Sequence, residues 1–153
     1  MRIQGLLLLA LVTPLSAQDA KIEVQPAQKQ VIQMPGSLPN LPFSTAVRVG
    51  NVLYLSGQIG VLPGTRQLVD TGVVKQTQQT LENIKSVLTY AGSSMDRVFK
   101  CTVFLTNIRD FDNMNSAYVT FFPKDPPARS TVAGSGLALG AKVEIECLAT
   151  VDS

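Results

Sequence analysis

The chain has 153 residues, which is enough for one domain with a substantial core. Its 13 basic and 11 acidic residues nearly balance, so nothing indicates a nucleic-acid surface, which would need clustered Lys and Arg. The absence of histidine excludes Ser-His-Asp and Cys-His nucleophilic systems, histidine general bases and the common His-containing zinc sites. The two cysteines cannot form a metal site alone, so we predict no metal.

Residues 1–17, MRIQGLLLLALVTPLSA, are typical of a secretory signal peptide. One early positive charge, Arg2, precedes a short apolar run, and small residues follow at Ser16 and Ala17. The run is too short to span a membrane comfortably, although an uncleaved anchor and a core helix are alternative interpretations. Cleavage would give an exported protein, periplasmic or extracellular, without stable membrane association.

Residues 18–40 predict an extended N-terminal leader, followed by a single domain over residues 41–153. The leader is rich in Gln, Pro and Ala and runs into the stretch PGSLPNLP. Prolines in such a stretch oppose a regular helix and favour extended backbone. We expect only the last part of this leader to dock on the domain.

The first part of the domain predicts a β-hairpin. Two runs rich in β-forming residues, 45–49 and 52–56, are separated by Gly50 and Asn51. A Gly-Asn pair between such runs is a signal for a tight hairpin turn.

Two amphipathic helices are predicted after the hairpin. Apolar residues recur at spacings of three and four over residues 73–91, and Gly92 follows where a helix end favours a left-handed residue. The stretch DFDNMNSAYVTFFP predicts a second helix, with Asp110 as a candidate N-cap and Pro123 ending it.

Strands rich in β-branched residues surround the second helix, and alternation assigns their faces. One uniformly apolar set should lie beneath the helices: Phe99, Cys101, Val103, Leu105, Val143, Ile145, Cys147, Ala149 and Val151. The opposite face mixes charged and apolar residues, including Lys100, Glu144 and Glu146. A half-apolar sheet face is seldom left bare, so we expect it to pack on another copy of the chain. The predicted fold is α+β, a sheet with two helices packed on one face.

The two cysteines fall on the same, helix-facing side of the predicted sheet. Export would allow a disulfide, provided that their strands are neighbours and that Cys101 and Cys147 lie nearly opposite each other. Sequence cannot establish that geometry. Two buried free thiols are the commoner outcome, and this is the outcome we predict.

Several separated motifs carry a resemblance to a known family: YLSGQIG, LENIKSVLTYAG, FDNMNSAYVTFFP, PPARS and KVEIECLATV. In this order and spacing they resemble the RidA/YjgF (reactive intermediate deaminase) family over roughly residues 40–152. The resemblance implies a chorismate-mutase-like (YjgF-like) fold with a mixed β-sheet, a homotrimer, and active sites in clefts between subunits. It implies hydrolysis of reactive 2-imino acids and their enamine tautomers to 2-oxo acids and ammonium, with no cofactor.

The resemblance also assigns roles to residues of this chain. Arg129 in PPARS matches the family arginine that grips the substrate carboxylate, for which a planar guanidinium is suited. Glu144 matches the glutamate associated with the hydrolytic water. From the residues alone, a surface salt bridge of Arg129 and a solvated strand position for Glu144 are the simpler interpretations.

Further substrate-binding positions follow from the same motifs. Ser56, Gly57 and Asn115 match site residues, and Gly57 would allow close approach of the backbone to a ligand. Two departures bear on the chemistry: Phe43 stands where the family has tyrosine, and Thr131 where archetypal members often have cysteine.

The leading prediction of function is a hydrolytic imine deaminase that acts on C–N bonds of a small imino acid. The alternative is an exported, non-catalytic RidA-like trimer that binds a small carboxylate or keto acid. An endoribonuclease, a name attached to some family members, is opposed by the lack of histidine and of a basic stripe.

Overall fold

The computed structural model describes residues 28–37, 39–69 and 71–152. The predicted signal peptide, residues 1–17, and most of the predicted leader lie outside these residues. The strands are β1 (Lys29–Ile32), β2 (Ala46–Val49), β3 (Val52–Leu55), β4 (Gln58–Ile59), β5 (Val98–Leu105), β6 (Ala128–Ala133) and β7 (Val143–Thr150). The helices are α1 (Val73–Tyr90), α2 (Phe111–Tyr118) and three short 3-10 turns, Met95–Arg97, Ile108–Asp110 and Ala138–Gly140.

The strands form one mixed sheet in the order β1-β2-β3-β7-β5-β6, and β4 pairs with β7 beyond the end of β3. The β5–β6 pair is parallel, and every other pair is antiparallel. Both α-helices pack on one face of this sheet, where a core of buried apolar residues joins them to the strands. This arrangement confirms the predicted α+β fold with two helices on one face.

The predicted hairpin is present between β2 and β3. Val49 pairs with Val52, and Gly50 has a φ of +60° in the turn between them. A positive φ of this size favours glycine, which explains the Gly-Asn signal in the sequence.

Helix α1 agrees with its prediction and α2 is shorter than predicted. Gly92 adopts a φ of +78° just after α1, as expected for a helix end. Helix α2 ends at Tyr118, five residues before Pro123. After it, the backbone N–H groups of Thr120 and Phe121 donate to the carbonyl oxygens three residues earlier, which is the pattern of a tighter turn. Asp110 makes no side-chain cap. Within the described residues, no helix combines the length and apolarity that a membrane span requires.

One predicted face assignment is wrong at the start of β5. Val98 pairs with Ala149 and Lys100 pairs with Leu148, so Phe99 is the extra residue of a β-bulge. Phe99 is consequently 44% exposed, whereas Val98 takes the buried position. From Cys101 onward the predicted alternation is confirmed along the strand.

One segment of the predicted leader also forms a strand of the sheet. Lys29–Ile32 pairs with Ala46–Val49 as the outermost strand, well before the proline-rich stretch. We expected docking only at the end of the leader. This short segment contains no proline, and the free edge of β2 supplies the backbone partners that a strand needs.

The prediction of two free thiols is also wrong, because Cys101 and Cys147 form a disulfide. They lie directly opposite each other on β5 and β7, with Cα atoms 4.1 Å apart. Such closeness is typical of a non-hydrogen-bonded pair in an antiparallel ladder. Alternation correctly placed both cysteines on one face, but only the strand order and register bring them together.

The disulfide leads to a test with two readouts. Denatured, unreduced protein should show no reactive thiol, and reduction should release two. Because the bridge joins residues 46 positions apart, reduction should lower the free energy of unfolding by about 2–4 kcal/mol, measured by denaturant titration. The double variant Cys101→Ala/Cys147→Ala is the control and should not respond to reductant. Two thiols in the unreduced protein would contradict the bridge.

Candidate active site

The predicted site residues fall into two groups, of which the first lies where β6 meets α2. Strand β6 is at the edge of the sheet and pairs in parallel with β5, with Arg129 beside Cys101 and Thr131 beside Val103. Directly paired residues point to the same face of a sheet. Arg129 and Thr131 therefore lie on the helix-covered face.

The Arg129 guanidinium lies over two aromatic rings of α2. Its Cζ atom is 5.6 Å from the ring centroid of Phe111 and 4.5 Å from that of Tyr118. Among the described residues, Arg129 makes no ion pair and donates no side-chain hydrogen bond to any of them. The surface salt bridge that was the simpler interpretation is therefore absent from this part of the chain, and the five N–H donors can serve a ligand.

Two hydroxyl groups near this arginine are buried without a partner. Neither Tyr118 Oη nor Thr131 Oγ1 has a hydrogen-bond partner among the described residues. Burial raises the pKa of Tyr118 to about 12, and this effect outweighs the opposing influence of the Arg129 charge. The tyrosine therefore stays neutral at physiological pH.

Asn115 belongs to the same side of α2. It follows Phe111 by four residues and precedes Tyr118 by three, which places all three on one helical face. Its side chain is half-buried. We call the group formed by Arg129, Thr131, Asn115, Phe111 and Tyr118 the arginine half-site. The sequence motifs did not single out the two aromatic residues of this group as site residues, although their seven-residue spacing on an amphipathic helix is a usable signal.

The second group lies on the open face of the sheet, where β3 gives way to β4. Tyr54 pairs with Leu148 and Gln58 pairs with Ile145, so three intervening residues on one side face two on the other. This irregularity brings Gly57 against Glu144: a Cβ atom at Gly57 would overlap the Glu144 carboxyl group. Glycine at this position therefore leaves room for the observed place of the Glu144 carboxyl group, in addition to any approach of a ligand.

Ser56 holds the neighbouring segment in place. Its Oγ donates a 2.7 Å hydrogen bond to the backbone oxygen of Ser44. The next residue toward the N-terminus, Phe43, is 53% exposed. Ser56 thus has a structural partner in this chain, and it ties the segment that carries Phe43 to the sheet. Phe43, Ser56, Gly57 and Glu144 together form what we call the glutamate half-site.

The Glu144 carboxyl group sits in a partly buried and unfavourable environment for a negative charge. Its pKa is raised above the ordinary glutamate value, first by burial and second by the negative charge of Glu146. Among the described residues it has no ion pair or hydrogen bond that would offset this. A carboxyl group of this kind can hold or accept a proton closer to neutral pH than an ordinary glutamate.

The two half-sites lie on opposite faces of the sheet within one chain. Phe104 of β5 pairs with Glu144 on one side and Val132 on the other, so Glu144 and Arg129 are two strands and three residues apart. With standard sheet spacings, their Cα atoms are separated by roughly 14 Å, and their side chains point to opposite faces. A small ligand that contacts both residues must therefore contact two copies of the chain.

The open face also carries a concavity. Its volume is about 270 Å³, and the side chains around it include those of Tyr54, Lys100, Glu146 and Leu148. Tyr54 is 49% exposed at this face, which is unusual for a large aromatic residue in a sheet. The predicted mixed face is thus observed, and its side chains include charged and partly exposed apolar groups in the described part of the chain. Among the described residues, no cluster of three or more His, Cys, Asp or Glu could hold a metal ion.

Comparison with known proteins gives consistent matches. The family model described as endoribonuclease L-PSP matches residues 35–151. "Reactive Intermediate Deaminase A, chloroplastic" of Arabidopsis thaliana is 38% identical over 136 residues, covering 89% of this chain and 70% of the relative. The "2-iminobutanoate/2-iminopropanoate deaminase" of Mus musculus is 41% identical over 108 residues, covering 71% of this chain and 80% of the relative.

Solved structures match as well. RidA from an Antarctic Psychrobacter has a TM-score of 0.74 and 37% identity, covering 80% of this chain and 99% of that chain. E. coli TdcF with bound serine has a TM-score of 0.73 and 33% identity, with the same coverage of 80% and 99%. Fold and site together define an α+β protein with a YjgF-like sheet. The chain belongs to the RidA/YjgF family, as its motifs predicted.

The electrostatics of Glu144 can be tested by titration. Glu146→Gln should lower the pKa of Glu144 only part of the way toward its ordinary value, because burial is the larger cause and remains. Carbon-13 NMR of the carboxyl group would measure this, with Glu82→Gln as the control that leaves the Glu144 titration unchanged. An unchanged titration in Glu146→Gln would contradict the assigned cause.

The same shift has a defined sign for stability. A carboxyl group with a raised folded-state pKa stabilises the fold when protonated. This contribution is complete below the unfolded-state pKa and is lost as pH rises through the raised folded-state pKa. Glu144→Gln should therefore remove part of the pH dependence of stability in that window, measured by denaturant unfolding.

Proposed function

We propose that this protein hydrolyses reactive 2-imino acids and their enamine tautomers to 2-oxo acids and ammonium. The observation that carries the proposal is the Arg129 guanidinium, which is held against two aromatic rings and has no acidic partner in the described chain. A planar cation with free donors suits a small carboxylate. Relatives named as imine deaminases support the reaction type.

In the proposed reaction, Arg129 binds the substrate carboxylate through two parallel hydrogen bonds. This contact orients the protonated imine, whose carbon is already electrophilic, toward a water molecule beside Glu144. The Glu144 carboxylate accepts a proton as the water oxygen bonds to the imine carbon. Glu144 then returns that proton to nitrogen, and the C–N bond breaks to expel ammonia. The hydroxyl proton passes to the departing ammonia, which gives ammonium and the 2-oxo acid. The enzyme ends in its starting protonation state, and no redox change occurs.

We also propose that a homotrimer brings the half-sites together, with the arginine half-site from one copy and the glutamate half-site from its neighbour. The resemblance implies this assembly. Two features of the chain support it: the two half-sites face opposite sides of the sheet, and Tyr54 and Leu148 leave the open face partly apolar. Covering such a face contributes roughly 25 cal/mol per Å² of apolar surface.

Binding without turnover is a second candidate function. Phe43 stands in the glutamate half-site at the position where the family has tyrosine, so the hydroxyl group is missing. The aromatic surface remains, which would preserve ligand packing while removing a hydrogen bond. Nothing in the described residues favours ribonuclease chemistry, although the matching family model bears that description, and the chain contains no histidine to act as acid or base.

Export remains a prediction from residues 1–17. The Cys101–Cys147 disulfide supports it, because such bridges persist mainly in oxidising compartments such as the periplasm or the extracellular space. We therefore propose that the protein acts outside the cytosol on imines produced or released there.

The proposed reaction can be tested by coupling the purified protein to an amino-acid oxidase, which generates 2-imino acids. Wild-type protein should accelerate imine decay and ammonium release. Arg129→Ala should reduce kcat/KM by about 100-fold or more, because it removes a charge-assisted bidentate contact. Arg129→Lys should recover little, since a point charge does not reproduce the planar fork.

Arg66→Ala, which removes an exposed arginine elsewhere, is the matched control and should retain activity. No acceleration by wild-type protein with any small imino acid, together with measurable binding of the 2-oxo acid, would favour the binding function. Full activity in Arg129→Ala would refute the assigned role of Arg129.

Assembly provides an independent prediction. Light scattering at micromolar concentration should give a mass of about three chains. Tyr54→Lys should weaken assembly and activity together, because it places a charge on the open face. Tyr90→Lys is the matched control, since Tyr90 is 54% exposed on α1 and lies away from that face. A monomeric wild-type protein with full activity would contradict a site shared between copies.

A further inference from the structure

Two aromatic rings of α2, those of Phe111 and Tyr118, face the Arg129 guanidinium. Phe111 and Tyr118 are seven residues apart, so they lie two turns apart on the same face of α2. Both ring centroids are within 6 Å of Arg129 Cζ, which is the range of effective cation–π interaction. The two rings thus form an aromatic cradle for one cation.

The other restraints on this side chain are weak. Arg129 stands on β6, the edge strand, and its long side chain can adopt many rotamers. Within the described residues it has no carboxylate partner that could fix the guanidinium. An ion pair would also occupy donors, whereas contact through the ring faces leaves the N–H edges of the planar group free.

We infer that Phe111 and Tyr118 are positioning residues that hold the Arg129 guanidinium by its faces and present its donors to a carboxylate ligand. The identity of that ligand rests on the proposed function, but the cradle itself does not. The rings carry this role, and the Tyr118 hydroxyl does not, because Tyr118 Oη is buried without a partner among the described residues.

The first test needs no ligand. Protons of the Arg129 side chain lie over aromatic faces, so their NMR signals should be shifted upfield by ring currents in the full-length protein. Phe111→Leu should reduce this shift clearly, and Tyr118→Phe, which keeps the ring, should preserve it. Phe121→Leu is the matched control: Phe121, like Phe111, is partly buried against the core, but it lies outside the cradle.

The second test measures binding of 2-oxobutanoate by calorimetry. Phe111→Leu should raise the Kd about 3- to 10-fold, in line with the loss of one cation–π contact. Phe121→Leu should stay within about twofold of wild type. Thermal unfolding of each variant separates this effect from a loss of stability, because Phe111→Leu and Phe121→Leu should have similar melting temperatures.

The outcomes are distinguishable. If wild-type Arg129 shows no upfield shift, or if Phe111→Leu and Phe121→Leu have equal effects on the shift and on Kd, the cradle is refuted. A strong loss of binding in Tyr118→Phe would assign the role to the hydroxyl and also refute the inference. If the ring-current pattern is observed but the wild type neither binds 2-oxobutanoate nor hydrolyses imines, the cradle stands and the proposed function fails.

Discussion

The alternation of side chains across a β-sheet governs the chemistry available to this protein. Arg129 faces the helices and Glu144 faces away from them, and two strands separate them. No rotamer change can move a side chain through a hydrogen-bonded sheet. Within one chain, the residues of the two half-sites therefore lie on opposite faces of the sheet. The proposed assembly would bring the two kinds of half-site together from different copies.

The glutamate half-site depends on local crowding that the sheet itself creates. The irregularity between β3 and β4 places Gly57 against the Glu144 carboxyl group, which a Cβ atom at this position would displace. Partial burial beside Glu146 then disfavours the negative charge of Glu144. One geometric feature thus determines both the position of the carboxyl group and its readiness to exchange protons.

In the arginine half-site, aromatic rings contact the Arg129 guanidinium, and no carboxylate among the described residues neutralises its charge. Aromatic faces stabilise a guanidinium while leaving its hydrogen-bonding edge unused. In the same row of the sheet, Arg129 lies beside Cys101, which is bonded to Cys147. The disulfide therefore joins β5, which pairs with the edge strand β6, to β7 on its other side. The strand pair beside β6 is thus cross-linked, and the Arg129 guanidinium lies against two aromatic rings.

Much of this protein follows from local sequence. Period-two and helical patterns identified the hairpin, both helices and the two faces of β7, because these features depend on residues that are close in the chain. The family resemblance of the motif around Arg129 implied a carboxylate-binding role, and two other site residues that the resemblance implied, Asn115 and Thr131, lie on the same side of the sheet.

Tertiary structure decided the rest, because register and strand order depend on residues far apart in sequence. The bulge that turns Phe99 outward is a one-residue shift, which alternation alone cannot detect. The disulfide required β7 to lie beside β5 in one particular register. The aromatic cradle required α2 to lie close to the Arg129 side chain, which stands on the edge strand. Sequence patterns assign a residue to a face, and only long-range pairing determines which other residues it meets there.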